Sequence, residues 1–68
     1  MKKVKSSNID TIHYEPSDKR LEVTFKSGGT YHYQGVSQAE YDALENAESV
    51  GSHLHKHIKG RYNGVKQK

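Results

Sequence analysis

The fold is decided by the stretch LEVTFKSGGTYHYQ, which occupies residues 21–34. Apolar and polar residues alternate over 21–26, and they alternate again over 30–34, where most residues favour strands. A period of two is typical of a strand with one face buried and the other in water. A pair of glycines lies between the two runs, at 28–29. The stretch therefore predicts an antiparallel β-hairpin.

The loop of this hairpin decides where Tyr31 and Tyr33 point, because a slip of one residue moves every side chain to the other face. A loop of only the two glycines would place Lys26 opposite Tyr31 and turn both tyrosines away from Phe25. A three-residue loop that adds Ser27 pairs Phe25 with Tyr31. We favour the longer loop, since it produces one continuous apolar face and makes both tyrosines mainly structural, with their hydroxyls at the rim. That face comprises Leu21, Val23, Phe25, Tyr31 and Tyr33.

Helices are predicted after the hairpin. Ser37 followed by Glu40 is a capping box and predicts a helix over about 37–47. Apolar residues then recur every fourth position and predict a second helix over about 50–59, which Gly60 ends. Before the hairpin, residues 9–14 predict a strand, and a turn around Pro16 follows it. The fold class is therefore α+β, a three-stranded antiparallel sheet (about 9–14, 20–26 and 30–34) followed by two helices.

Length and composition restrict the class of protein. The chain has 68 residues and no cysteine, so it holds one domain with neither disulfides nor thiolate metal sites. No apolar run is long enough for a signal peptide or a membrane span. We expect a cytoplasmic protein that takes no cofactor and contacts no membrane. Its predicted parts are a flexible basic tail over 1–7, one domain over 8–63 and a basic tail over 64–68.

The charges are segregated along the chain, which has a net charge of +3. All eight acidic residues lie between Asp10 and Glu48, whereas 49–68 contains five lysines or arginines, three histidines and no acid. This distribution suits either RNA or another polyanion as a partner, or termini that only keep the protein in solution. The residues predicted to bind nucleic acid are His55, Lys56, Lys59, Arg61 and Tyr62, with Lys66, Lys68 and the N-terminal lysines adding attraction.

Protein binding is the alternative function. A phage-encoded accessory or inhibitor protein could use either the polar face of the sheet or the first helix, whose predicted acidic exterior would suit the basic groove of a protein partner. The acidic residues in question are Glu40, Asp42, Glu45 and Glu48. The sequence leaves both hypotheses and the oligomeric state open.

Catalysis and metal binding are not predicted. His53 and His57 have the i, i+4 spacing of zinc ligands on a helix, but no motif supplies a third ligand. His13 or His32 is expected near Glu22 on the exposed sheet face, where such residues usually serve solubility and cross-strand pairing. We therefore expect a binding module and not an enzyme.

An ordered set of residues over most of the chain forms a recognisable pattern: Ser6-Ser7-Asn8-Ile9, Ile12, Tyr14, Leu21-Glu22-Val23-Thr24-Phe25, Gly29, Tyr31-His32-Tyr33, Val36, Tyr41, Leu44, Ser49-Val50-Gly51, Ile58 and Arg61-Tyr62. This set resembles the KTSC domain, a family named for the C-terminal domain of some lysyl-tRNA synthetases. The resemblance implies a small domain that occurs alone in bacteria and phages and also within larger proteins, and RNA binding has been suggested for it. The chain departs from the family pattern in the second helix, where the family often has an aromatic residue near Leu54 and an asparagine near Lys56 or His57.

Overall fold

The structure is a computed structural model that describes residues 2–4 and 8–67. Its described strands form one antiparallel sheet in which each strand pairs with the next one along the chain, and the helices lie between the last two strands in the sequence. The elements are β1 (Lys2–Lys3), β2 (Ile9–Glu15), β3 (Arg20–Phe25), β4 (Thr30–Gln34), α1 (Gln38–Glu45), α2 (Val50–His53), a π-helical turn (Leu54–Ile58) and β5 (Gly64–Gln67).

The sheet is larger than the three strands predicted from the sequence. Within the described residues it has four strands of at least four residues, and the two-residue β1 adds an edge. The predicted C-terminal tail was wrong over Gly64–Gln67, because this segment pairs with β4. The predicted N-terminal tail includes Lys2–Lys3, which pair with Thr11 and Ile12, while residues 1 and 5–7 lie outside the described part of the chain. Both edge strands are short and polar, so neither shows the alternation that identifies a half-buried strand.

A β-bulge in β2 brings its two isoleucines to the same face. Ile9 pairs with Phe25 and Thr11 with Thr24, so one extra residue, Asp10, lies in β2 at this point. Residues three apart on a regular strand point to opposite faces, but the bulge shifts the alternation by one. Ile9 and Ile12 are consequently both fully buried.

The hairpin has the predicted faces but a different register. Val23, not Phe25, lies opposite Tyr31. The three-residue loop is Lys26–Gly28, closed by a hydrogen bond from the Phe25 amide to the Gly29 carbonyl at 2.8 Å. Gly28, with φ of 106°, supplies the left-handed residue of this loop one position earlier than predicted. The pairing differs from the prediction by two positions, an even number, so Leu21, Val23 and Tyr33 still face the core.

Helix α1 begins as the sequence predicts. The Ser37 side chain accepts a hydrogen bond from the Glu40 amide at 3.2 Å. Leu44 is fully buried, and the half-buried Tyr41 ring stacks on Tyr14 with the two ring centroids 5.0 Å apart. The Tyr14 hydroxyl donates a hydrogen bond to the carbonyl oxygen of Val36, just before the cap. These contacts fix α1 against the sheet.

The second helix is not the continuous α-helix that the sequence predicts. Only Val50–His53 is α-helical, capped by Ser49, and Leu54–Ile58 forms a π-helical turn whose bond runs from the Lys59 amide to the Leu54 carbonyl at 2.9 Å. In a regular α-helix, residues four apart are offset by about 40° around the axis. A π-helical turn rotates less per residue, so four residues fall short of a full turn, and this opposite offset compensates for that of the α-helical step before it. The buried apolar side chains at four-residue spacing thereby stay on one face. Those side chains are Val50, Leu54 and Ile58, as predicted.

The core lies between one face of the sheet and the helices. Eleven hydrophobic residues are buried there in one cluster among the described residues. No helix in the described ranges is both long and apolar enough to cross a membrane. The core comprises Ile9, Ile12, Tyr14, Leu21, Val23, Tyr33, Val36, Leu44, Val50, Leu54 and Ile58.

Candidate nucleic-acid interface

The π-helical turn carries the predicted basic surface. Leu54 and Ile58 are buried beneath it, while His55, Lys56 and Lys59 are exposed. The turn therefore anchors itself through its apolar residues and presents imidazole and ammonium groups to solvent. The sequence prediction that burial and a basic outer surface coexist in this element is confirmed.

Lys59 differs from its neighbours because it turns toward the hairpin. Its Nζ lies 5.9 Å from the centroid of the Phe25 ring, within the range of a cation–π contact. Phe25 is the last residue of β3 and Lys59 directly follows the π-helical turn. This contact joins the end of the second helix to the end of the sheet that carries the hairpin loop.

An open groove of about 550 Å³ lies at this junction. The Phe25 and Tyr31 rings meet edge to face there, with centroids 5.5 Å apart and planes at 87°. Both rings are half-buried and pack against the core on one side. Together with Tyr33, which is only 2% exposed, they form the aromatic wall of the groove. The aromatic wall is therefore rigidly supported and partly open to solvent. The groove is lined by Phe25, Lys26, Ser27, Tyr31, Tyr33 and Lys59, together with Asn8.

The Tyr33 hydroxyl has a raised pKa. Burial raises this pKa, and the neighbouring Tyr31 raises it further. At neutral pH the hydroxyl is a hydrogen-bond donor, as that of any tyrosine is, and the shift affects only its ionisation in alkali.

Strand β5 brings a further lysine to the groove margin. Lys66 lies opposite Tyr31 in the β4–β5 ladder and so projects to the same face of the sheet. A Cβ built on Gly29 would lie 3.4 Å from Tyr31 Cε1 and 3.6 Å from Lys66 Cε. The ring and the lysine stem thus approach the same glycine. Lys26, Lys59 and Lys66 surround the aromatic wall.

Arg61 and Tyr62, predicted to join this surface, make different contacts. Arg61 Nη1 lies 3.3 Å from Glu40 Oε1, so the first helix partly neutralises the guanidinium. The guanidinium carbon is also 5.8 Å from the Tyr62 ring centroid. The structure therefore places Arg61 between the two surfaces that the sequence assigned to competing functions.

The acidic residues of α1 are largely engaged within the domain. Besides Glu40, Asp42 accepts a hydrogen bond from Gln38 at 3.0 Å, and Glu45 accepts one from the Tyr41 hydroxyl at 3.3 Å. Burial, and then the charge and hydrogen bond of Glu45, raise the pKa of Tyr41. Glu48 is exposed after the helix.

Two contacts that the sequence analysis considered, between His53 and His57 and between His32 and Glu22, are present in the structure. The His53 and His57 ring centroids are 4.5 Å apart. On the outer face of the sheet, His32 Nε2 lies 3.7 Å from Glu22 Oε1, and Arg20 donates to the other oxygen of Glu22 at 2.9 Å. No group of three or more potential metal ligands occurs within residues 2–4 and 8–67.

Comparison with known proteins identifies the family. The family model described as the KTSC domain matches residues 5–62. The chain belongs to the KTSC family. A crystal structure of a KTSC domain protein from Yersinia pestis superposes with a TM-score of 0.94 at 34% identity, covering 98% of this chain and 94% of that one.

Relatives of this KTSC domain occur in proteins of two sizes. An uncharacterized protein of Stutzerimonas stutzeri is 36% identical over 64 residues, which are 91% of this chain and 90% of that protein. A lysine–tRNA ligase of Nostoc sp. is 38% identical over 60 residues, which are 88% of this chain and 11% of the ligase. The chain thus spans about a tenth of such a ligase. KTSC domains form both nearly whole small proteins and segments of larger enzymes.

The sequence did not predict how three residues come together at the groove. Tyr31 was predicted to be mainly structural with its hydroxyl at the rim, and Lys66 was predicted to add attraction for nucleic acid from a tail and not from a strand. Phe25 was predicted to lie directly opposite Tyr31. The two residues are instead diagonal neighbours on adjacent strands, and their rings meet edge to face. Gly64 was a sequence signal for strand β5, since a glycine opposite a bulky residue of a neighbouring strand permits close packing.

Proposed function

We propose that this KTSC domain is a non-enzymatic, cytoplasmic nucleic-acid-binding module with RNA as its ligand. The interface combines the exposed Lys56 of the π-helical turn with the groove formed by Lys59 and the hairpin. The observation that carries the proposal is the position of the Lys59 ammonium at the aromatic wall of a cationic groove. Lysines neutralise phosphates, and aromatic rings stack with unpaired bases.

The surroundings of the groove support a polyanionic ligand. None of the described residues that line it is acidic, and Lys66 approaches its margin from β5. The relatives named lysine–tRNA ligase act on a tRNA, so this type of domain also occurs in enzymes that handle RNA. The acidic helix is the weaker interface, because Glu40, Asp42 and Glu45 already contact groups of the domain itself.

The proposal is tested by the salt dependence of RNA binding. Fluorescence anisotropy with a labelled 20-nucleotide single-stranded RNA, titrated from 50 to 300 mM salt, gives the affinity and its slope. We expect the Lys56→Gln/Lys59→Gln variant to bind more weakly, with a slope of log affinity against log salt smaller by about 1.4, since each phosphate contact on a single strand contributes about 0.7.

Lys19→Gln is the matched control. This exposed lysine lies in the turn before β3, at the opposite end of that strand from the hairpin loop. Its neutralisation removes one charge without touching the groove and should leave the slope near that of the wild type. The proposal would be contradicted if both variants reduced the salt slope equally for each charge removed. It would also be contradicted if the wild type did not bind the RNA at 50 mM salt.

A further inference from the structure

The groove combines aromatic rings with lysine side chains. Its wall includes two perpendicular half-buried rings, Phe25 and Tyr31; the Lys59 ammonium lies at this wall, and the Lys66 stem approaches Gly29 from β5. We propose that the groove binds a single unpaired nucleotide, with the base against the Phe25–Tyr31 corner and the phosphate between Lys59 and Lys66. This inference rests on the proposed RNA-binding function and assigns its specific site.

The aromatic corner suits a base better than an aliphatic or peptide group. When two rings are perpendicular, a base can stack on the face of one ring while its edge contacts the other ring. The core holds both rings in place on their inner side, so binding requires little ordering of the protein. The corner lies inside a groove, where a base in a double helix, stacked on its neighbours, cannot enter. The base must therefore be unpaired.

The cations are placed for one phosphate. Lys59 reaches the corner from the end of the second helix, and Lys66 reaches it from β5 on the other side of Tyr31. The positive charge of the two lysines attracts the phosphate of a nucleotide whose base stacks at the corner. The groove volume of about 550 Å³ falls within the range of small-ligand sites, roughly 300–1,000 Å³.

Close packing at the loop keeps this geometry. Gly29 is half-buried between Tyr31 and Lys66, and any side chain there would contact both. The hydroxyls of Ser27 and Tyr33 also line the groove and supply polar groups for the sugar or the base edge. Apart from Asn8, which precedes β2, the residues of the site come from the hairpin, the residue after the π-helical turn, and β5.

The first test separates stacking from charge attraction. Anisotropy titrations compare the wild type with Tyr31→Ala and Tyr31→Phe on a single-stranded RNA hexamer and on a blunt duplex of the same composition. We expect Tyr31→Ala to weaken hexamer binding by about ten-fold without changing the salt slope, and to leave duplex binding unchanged. Tyr31→Phe keeps the ring and should retain hexamer affinity. Val65→Ala, which removes an exposed apolar side chain from the outer face of the sheet, is the matched control and should leave hexamer binding unchanged.

The second test uses the unaltered protein, so that a folding defect in a variant cannot obscure the result. The wild-type domain is photocrosslinked to a hexamer that contains one 5-iodouridine, and the adduct is located by mass spectrometry. Adducts at Phe25 or Tyr31 are expected. Adducts confined to Tyr62, with normal hexamer binding by Tyr31→Ala, would overturn the nucleotide site and leave RNA binding intact. Loss of all RNA binding at low salt would overturn both.

Discussion

Tyr33 of β4 packs directly on Gly64 of β5. The two residues are partners in the antiparallel ladder, and a Cβ at position 64 would lie 2.6 Å from Tyr33 Cε1. Real Cβ contacts are not this short, so the glycine lets the ring lie flat against the neighbouring backbone. The pairing explains how a short polar segment becomes a strand, because the aromatic ring covers the glycine and β5 in turn covers the ring.

Substitution of this glycine should destabilise the domain. We expect Gly64→Ala to lower the free energy of unfolding by about 1–3 kcal/mol, since the buried Tyr33 ring must move to admit a methyl group. Urea denaturation followed by circular dichroism measures the change. Gly60→Ala is the control, because a Cβ at Gly60 would meet no atom within 4 Å. Equal unfolding midpoints for Gly64→Ala and the wild type would show that β5 is not held by this contact.

The hydroxyl of Tyr14 should contribute more to stability than that of Tyr41, although the two rings stack on each other. Tyr14→Phe leaves the carbonyl oxygen of the fully buried Val36 without this donor, which should cost about 1–3 kcal/mol. Tyr41→Phe removes a hydrogen bond to the partly exposed Glu45 and should cost about 0.5–1 kcal/mol. Both substitutions keep the ring, so thermal unfolding compares the two hydroxyls alone. A larger loss for Tyr41→Phe would reverse this assignment.

Stability should fall as the pH rises above about 10, where tyrosines of an unfolded chain begin to ionise. Burial raises the pKa of Tyr33 and of Tyr41 in the folded protein. In the interval above the unfolded value the folded state then binds more protons than the unfolded state, so the free energy of unfolding decreases with pH. Below that value the contribution is fully present.

This pH dependence is measured by urea unfolding at several pH values between 9 and 11.5. The Tyr33→Phe/Tyr41→Phe variant lacks both groups and should show a shallower decline than the wild type, since the other titrating groups are common to both proteins. A decline of the same steepness in the variant would assign the alkaline sensitivity to other residues.

The main parts of the fold follow from local sequence patterns, and the parts that were missed depend on contacts between distant residues. Alternation over 21–34 specified the hairpin and its faces, and the Ser37 cap specified α1. The register was wrong because the loop position depends on which residue adopts the left-handed conformation, and two adjacent glycines, Gly28 and Gly29, both qualify. The π-helical turn was missed because the four-residue spacing is compatible with both helix types.

The candidate site was only partly predictable for the same reason. The basic character of 53–62 is a property of composition, and the sequence showed it. That Lys59 would approach Phe25 whereas Arg61 would approach Glu40 depends on how the second helix ends against the sheet and α1. No local pattern encodes that geometry. Lys66 was assigned to a tail because β5 has only one apolar side chain, Val65, which is 51% exposed.

Removal of the Glu40 carboxylate should strengthen RNA binding by releasing Arg61. The Arg61 side chain is 60% exposed and that of Glu40 is 26% exposed, so the pair is a surface ion pair with a contribution below about 1 kcal/mol. We expect Glu40→Gln to leave stability nearly unchanged and to raise RNA affinity about two- to three-fold at low salt, because the freed guanidinium becomes available to phosphate. Anisotropy titrations measure this gain, and the Glu40→Gln/Arg61→Gln variant should lose it.

Asp42→Asn distinguishes this local effect from net charge. Asp42 lies on the same helix, its substitution removes the same charge, and its polar partner is Gln38 and not a cation. If the protein responded only to net charge, Asp42→Asn and Glu40→Gln would raise RNA affinity equally. Because Arg61 lies beside Glu40, we expect the gain from Glu40→Gln to be the larger one and to depend on Arg61. That dependence would show that the acidic helix restrains an adjacent RNA-binding cation, so the two charged surfaces would act on one ligand.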